Sequence, residues 1–198
     1  MKKDENEMTA AEFMASLEND VEYQEMRRKQ EVQRQADIRR IASDEVDLVE
    51  ELNACGYSLK SVWDLVNTED SYADLIPLLI KHLDIDHCPE IFEGIIRALI
   101  TTDAIGYGPK LISKFCEQPK GHSEIKWLLG SAIALAATES DFDSILELIH
   151  DTSHGLSRAD LPIGLVAADY NRAYPILKQL ENVSDLAEGA KKALHTFS

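Results

Sequence analysis

A short apolar unit recurs along the chain from Tyr72 onward, and its spacing limits the folds open to it. Ile76-Pro77-Leu78-Leu79-Ile80 returns as Gly108-Pro109-Lys110-Leu111-Ile112 and again as Tyr174-Pro175-Ile176-Leu177-Lys178. The prolines stand 32 and then 66 residues apart, the second step being twice 33. Phe142-Asp143-Ser144-Ile145-Leu146 fills the vacant slot without a proline. A second mark lies between these slots, where Glu93-Gly94-Ile95-Ile96-Arg97-Ala98-Leu99 resembles Leu129-Gly130-Ser131-Ala132-Ile133-Ala134-Leu135. A period near 33 built from two apolar helices predicts a helical solenoid, in which each unit hides its apolar face against the next. No alternating apolar run bounded by hairpin turns occurs, so the expected class is all-α.

The repeat predicts about four pairs of helices, A then B. The first A helix is expected from Ser71 to Leu83, bent by Pro77 inside it, and the first B helix is expected to start at an Asp86 cap with Pro89 in its first turn. The other pairs are Gly106 to Cys116 with Ser123 to Ala137, Phe142 to His150 with Ser157 to Ala168, and Arg172 to Leu180 with Asp185 to Phe197, the last capped by Ser184. Ile91, Phe92, Ile95, Ile96 and Leu99 form the expected core of the first B helix. Ile125, Leu128, Leu129, Ala132 and Ile133 form that of the second. Gly94, Gly130, Gly164 and Gly189 each lie in a B helix, and Ala98, Ala134, Ala168 and Ala193 follow four residues later. A helical glycine costs about 1 kcal/mol against alanine. Four matched costs predict a small-residue seam where a neighbouring helix comes close.

Upstream, residues 1–8 are polar and read as a disordered tail, and 9–70 as N-terminal helices ahead of the repeat domain at 71–198. Thr9-Ala10-Ala11-Glu12 has capping-box form and opens a helix with Phe13, Met14 and Leu17. Asn19-Asp20 ends it and caps the next. From Glu25 to Asp37 the only apolar side chains are Met26, Val32 and Ala36, while Glu25 precedes Lys29 and Glu31 precedes Arg34 in the favourable order. This describes a solvated helix, or an arm that contacts a partner. Apolar spacing resumes at Ile38, Ile41, Val46, Val49 and Leu52, with Gly56 as C-cap. A short helix opened by Ser58 or Ser61, with Val62, Trp63, Leu65 and Val66, is expected to cover the end of the repeat stack.

The period, the prolines at 77, 109 and 175 and the small-residue B helices resemble the HEAT and HEAT-like repeat superfamily over residues 71–198. The resemblance implies a right-handed α-α superhelix; residues 1–70 lie outside it and supply the helical cap that an uncovered end repeat needs. It also implies a non-enzymatic binding scaffold whose B helices line the inner face. Some relatives are DNA-repair glycosylases, which use a basic inner face, and others are phycobilin lyases.

Charge points away from the glycosylase role. The chain has 36 acidic and 20 basic residues, a net charge of −16. Residues 1–42 hold 8 basic and 10 acidic side chains, so residues 43–198 carry −14. Such a field keeps a protein soluble; it also repels phosphates and anionic lipid and attracts basic partners. The basic residues Arg27, Arg28, Lys29, Arg34, Arg39 and Arg40 are interleaved with acids. No nucleic-acid or membrane partner is expected. Cys55, Cys88 and Cys116 lack a short spacing and read as buried thiols in a reducing cytoplasm. No signal-peptide core or membrane span is present.

No catalytic set, cofactor or metal site is expected. His82, His87 and Cys88, with Asp84 and Asp86, read as a polar turn, because no second cluster completes a zinc set. His150 and His154 flank a loop. Glu90, Glu93 and Arg97 form one polar stripe, better read as a solvated face than as an acid–base pair. Cys116 has no His and Asn frame, and Gly106-Tyr107-Gly108-Pro109 is a turn into a helix, not a phosphate loop. Trp127 falls at the edge of its helix's core set, beside Lys126, and reads either as a core tryptophan or as an exposed binding anchor. The expected binding face comprises Glu90, Glu93, Arg97, Lys126, Trp127 and Asp160, and engages a protein with a basic patch. A sharper form is an immunity or inhibitor protein that covers a toxin's basic active site, such as that of a nuclease. The competing class is an enzyme in which Trp63, Asp64, His87 and Asp103 converge between cap and repeats.

Overall fold

The computed structural model describes Thr9 and residues 20–196. The expected tail over 1–8 and the helix carrying Phe13, Met14 and Leu17 lie outside the described residues. The described residues form ten α-helices and three short 3-10 segments, with no strand among them. The chain divides between Asp44 and Glu45 into two compact units.

In the first unit, helix α1 (Val21–Ala54) starts where the Asp20 carboxylate accepts the Tyr23 N–H at 3.1 Å. Up to Asp44 the helix buries nothing, and Val21, Met26, Val32 and Ile38 stay exposed. Local pairs hold its surface. Arg34 forks onto Glu31 at 2.7 and 2.8 Å, and that hydrogen bonding pulls the Glu31 carboxyl down to about 2. This is the solvated helix its composition describes.

From Glu45 the same helix belongs to the second unit and buries a stripe of Glu45, Leu48 and Leu52. Val46, expected in that stripe, is exposed, because the buried face is turned toward Leu48. Gly56 takes φ +98° just past the helix end, as expected of a C-terminal glycine. The buried Glu45 carboxylate accepts the Val62 N–H at 2.6 Å and the Ser61 hydroxyl at 2.7 Å. It thereby fixes the turn into α2 (Trp63–Val66), where Val62 and Leu65 are buried.

Pairs of helices follow. Helix α3 (Ile76–His82) packs on α4 (Pro89–Ala98), α5 (Gly108–Glu117) on α6 (Glu124–Ala136), α7 (Phe142–His150) on α8 (Leu161–Ala168), and α9 (Tyr170–Leu180) on α10 (Ala187–Thr196). The second members also pack in sequence, α4 on α6, α6 on α8 and α8 on α10, and α2 covers α4. Burial follows from this arrangement. Helix α5 hides one stripe of Gly108, Leu111 and Phe115, whereas α6, with neighbours on more sides, hides Lys126, Leu128, Leu129, Gly130, Ala132, Ile133, Ala134 and Ala136. Each fully buried Leu, Ile or Phe contributes about 1.5–3 kcal/mol.

The glycine seam is present. A Cβ on Gly94 would meet Val62 at 2.7 Å, one on Gly130 the Ser157 carbonyl oxygen at 2.6 Å, and one on Gly164 the Ala134 Cα at 3.2 Å. One on Gly189 would collide with the Ala159 carbonyl. Each glycine is therefore the point where a neighbouring backbone or side chain closes on a second-member helix.

Several expectations are corrected. Pro77 and Pro109 lie in the first turns of α3 and α5, and of the repeat prolines only Pro175 lies inside its helix. A missing N–H costs nothing in the first turn, so no bend results there. Tyr72 and Leu75, ahead of Pro77, are buried from a turn. Cys88, not Asp86, is the residue before α4, and it makes no side-chain cap. Phe92 is half-buried. Helix α8 begins at Leu161, after a 3-10 segment at Thr152–Arg158 that takes up the expected start at Ser157. Cys55 and Cys116 are exposed and Cys88 is half-buried, because helical context alone does not bury a thiol.

Candidate binding face

Helices α4 and α6 and the start of α8 each leave a narrow stripe uncovered. On α4 it is Glu90, Glu93 and Arg97, all half-buried; on α6 it is Glu124 and Trp127, exposed, with Ser131 half-buried; Asp160, half-buried, stands just before α8. Steps of three and four residues keep each stripe on one side of its helix. Glu93, Trp127 and Asp160 follow one another at 34 and 33 residues along the sequence.

Hydrogen bonds join the stripes edge to edge. Arg97 donates from Nε to Glu93 at 2.7 Å and from its terminal nitrogen to Glu124 on α6 at 3.0 Å. Ser131 donates to Asp160 at 2.7 Å. Between these links sits Trp127, 37% exposed. With His122, Glu124, Leu156 and Ala159 it lines an open depression of about 490 Å³. Leu156, 52% exposed, supplies a second apolar group. The result is an apolar centre with carboxylates beside it. Exposed tryptophan is enriched among residues that anchor interfaces, and flanking carboxylates select cations.

Five of the six residues expected in the face lie on these stripes. Lys126 does not. It is fully buried, and its Nζ donates to the Pro119 carbonyl at 2.9 Å and the Gln118 carbonyl at 3.4 Å, 5.0 Å from the Phe115 ring centre. One residue along a helix is a rotation of about 100°. With Trp127 turned outward, Lys126 turns inward, and its ammonium closes the break between α5 and α6. Burial pushes that ammonium below its usual range.

The other candidate groups are engaged elsewhere. Asp64 accepts the Lys60 N–H at 2.7 Å, and Asp103 accepts the Ser71 hydroxyl at 2.8 Å and the Tyr72 N–H at 2.9 Å. His87 lies 2.9 Å from His82. A polar cleft of about 270 Å³ near Thr68, Tyr72 and Arg97 includes Asp103 in its lining but not Trp63, Asp64 or His87. No group of three or more potential metal ligands occurs among the described residues. Partial desolvation by the surrounding helices raises the Cys116 thiol although its side chain reaches solvent, which disfavours the nucleophilic thiolate. His154 is buried against Phe115, and burial lowers its pKa as well.

Some polar anchors left no mark in the sequence. Arg158 is buried and donates to the Ile149 carbonyl at 2.5 Å and the Gly155 carbonyl at 3.1 Å, with Asp185 at 3.4 Å. It ties the end of α7 to the segment before α10. Glu45 is another such anchor. Nothing in local spacing distinguishes either from a surface charge.

Comparison with protein-family profiles, curated proteins and solved structures returns no match.

Proposed function

We propose that the chain is a non-enzymatic, HEAT-like repeat protein, a short right-handed superhelix of α-hairpins. It binds a partner protein with a basic surface through the stripes of α4, α6 and α8. The observation that carries this reading is Trp127, exposed between Glu124 and the Ser131–Asp160 pair at the middle of three linked stripes. The net charge of −16 supports the basic partner. In its sharper form the partner is a toxin such as a nuclease, and the chain is the immunity protein that covers its basic active site.

The test is capture on the immobilised full chain, wild type beside Trp127→Ala, from about 0.1 M to about 0.5 M salt. The expected partner has a basic isoelectric point, is held by the wild type, and elutes as salt rises. Losing a central tryptophan anchor costs about 2 kcal/mol or more, roughly thirtyfold in affinity. A partner that Trp127→Ala holds equally well, or that ignores salt, overturns the reading. Retention on immobilised DNA at low salt counts against it too.

A further inference from the structure

Helix α1 has one face that neither its local ion pairs nor the binding stripes use. Val21 and Val32, 72% and 64% exposed, are the most exposed large apolar side chains of the described residues. They stand eleven residues apart, about three turns, so they share one line along the helix. Glu25, Arg28, Ala36 and Arg39 continue that line in steps of three and four, and all are exposed. Glu31, which holds Arg34, is turned from Val32 by about 100°. Glu25 and Arg39 make no ion pair with any described residue.

The charges on this line change sign about Val32. Glu25 stands seven residues before it and Arg39 seven after, while Arg28 and Ala36 stand four before and four after. A second copy of the helix laid parallel and in register sets Glu25 on Glu25, Arg28 on Arg28 and Arg39 on Arg39, and every charged layer repels. Laid antiparallel and crossing at Val32, it sets each Glu25 opposite the other copy's Arg39, each Arg28 opposite Ala36, and Val32 against Val32. Glu22 then comes within one turn of the other copy's Arg40 on the same flank. The overlap also matches the length of the arm. Asp20, which caps the helix, and Asp44, where the first unit ends, each lie twelve residues from Val32. Both are turned from it by about 120°, on opposite flanks, so these like charges do not meet.

We infer that residues 20–44 are a self-association surface: two copies of the chain pair their α1 arms antiparallel, crossing at Val32, with reciprocal Glu25–Arg39 contacts. The paired segment is about 38 Å long. Its line is narrow and largely polar, so the pairing is weak, grows with protein concentration and falls with salt. It uses no residue of the Trp127 face and does not rest on the binding function proposed above.

The test is sedimentation equilibrium of the full chain from about 0.02 mM to about 1 mM protein. At about 0.1 M salt the average mass is expected to rise toward twice that of one chain, and to rise less at about 0.5 M. Glu25→Arg sets like charges across the pair, and so does Arg39→Glu. Each alone is expected to weaken association by about tenfold or more. An equimolar mixture of the two is expected to associate again, because each supplies the charge the other lacks. The double variant, Glu25→Arg with Arg39→Glu, is expected to associate as the wild type does, which only the antiparallel register allows. A wild type that stays monomeric at the highest concentration overturns the proposal. So does a single variant that associates like the wild type, a mixture that stays monomeric, or a double variant that is not restored. Trp127→Ala is expected to associate normally; if it does not, the contact lies on the repeat face and the arm pairing is wrong. Partner capture reads a different face, so the two proposals fail separately.

Discussion

Residues 21–44 and residues 45–198 use charged side chains in opposite ways. In the first region charges pair with near neighbours on a solvated helix, as Glu31 does with Arg34. In the second, Glu45, Lys126, Arg158 and Asp141 are buried, and three of them bind backbone groups of other segments, Asp141 capping its own turn at Thr138. Both regions carry glutamates, Glu31 in the first and Glu45 in the second, so residue type alone does not decide the role. The decisive factor is whether a neighbouring element covers the position. A covered charge must find fixed partners, and those partners then depend on it.

The contrast can be broken by substitution, read as shifts in urea unfolding. Arg158→Ala leaves the Ile149 and Gly155 carbonyls without their donor and opens a cavity; the expected loss is about 2–4 kcal/mol. Gly130→Leu forces a side chain against the Ser157 carbonyl, with an expected loss of about 1–3 kcal/mol. Glu45→Ala orphans the buried Val62 N–H and is expected to cost about 1–2 kcal/mol. Trp127→Ala, on the exposed stripe, is expected to stay within about 1 kcal/mol of the wild type in stability while losing its partner. Glu31→Ala is expected to leave the unfolding midpoint where it was. If Glu31→Ala matches Glu45→Ala, covered and uncovered charges are equivalent here and the contrast fails. If Trp127→Ala unfolds as readily as Gly130→Leu, the tryptophan belongs to the core and not to the face.

The helix pairs were legible because apolar spacing and glycines record which faces pack. Phe142–His150 was placed to the residue, and all four seam glycines meet a neighbour. The exposed stripe was legible for the complementary reason, since Glu93, Trp127 and Asp160 fall where the apolar pattern leaves a gap. Lys126 was not legible. A long alkyl stem lets an ammonium reach carbonyls several residues back, and that depends on a chain break whose shape local spacing does not encode. Pro77 and Pro109 misled, where Pro175 did not, because the same Pro-Leu spacing suits a helix start or a helix interior, and only the preceding turn decides between them. The His82–His87 contact escaped because it depends on how α3 ends, not on which residues lie nearby in sequence.

The Arg97 guanidinium already occupies the Glu124 carboxylate. An incoming cation must therefore win that carboxylate from a resident rival, and Arg97 keeps Glu93 as its refuge once displaced. Weakly basic visitors gain little from such an exchange, so the rivalry acts as a threshold that sorts strong visitors from weak ones. On the proposed binding mode, docking loosens one staple between α4 and α6 at the moment a foreign one forms.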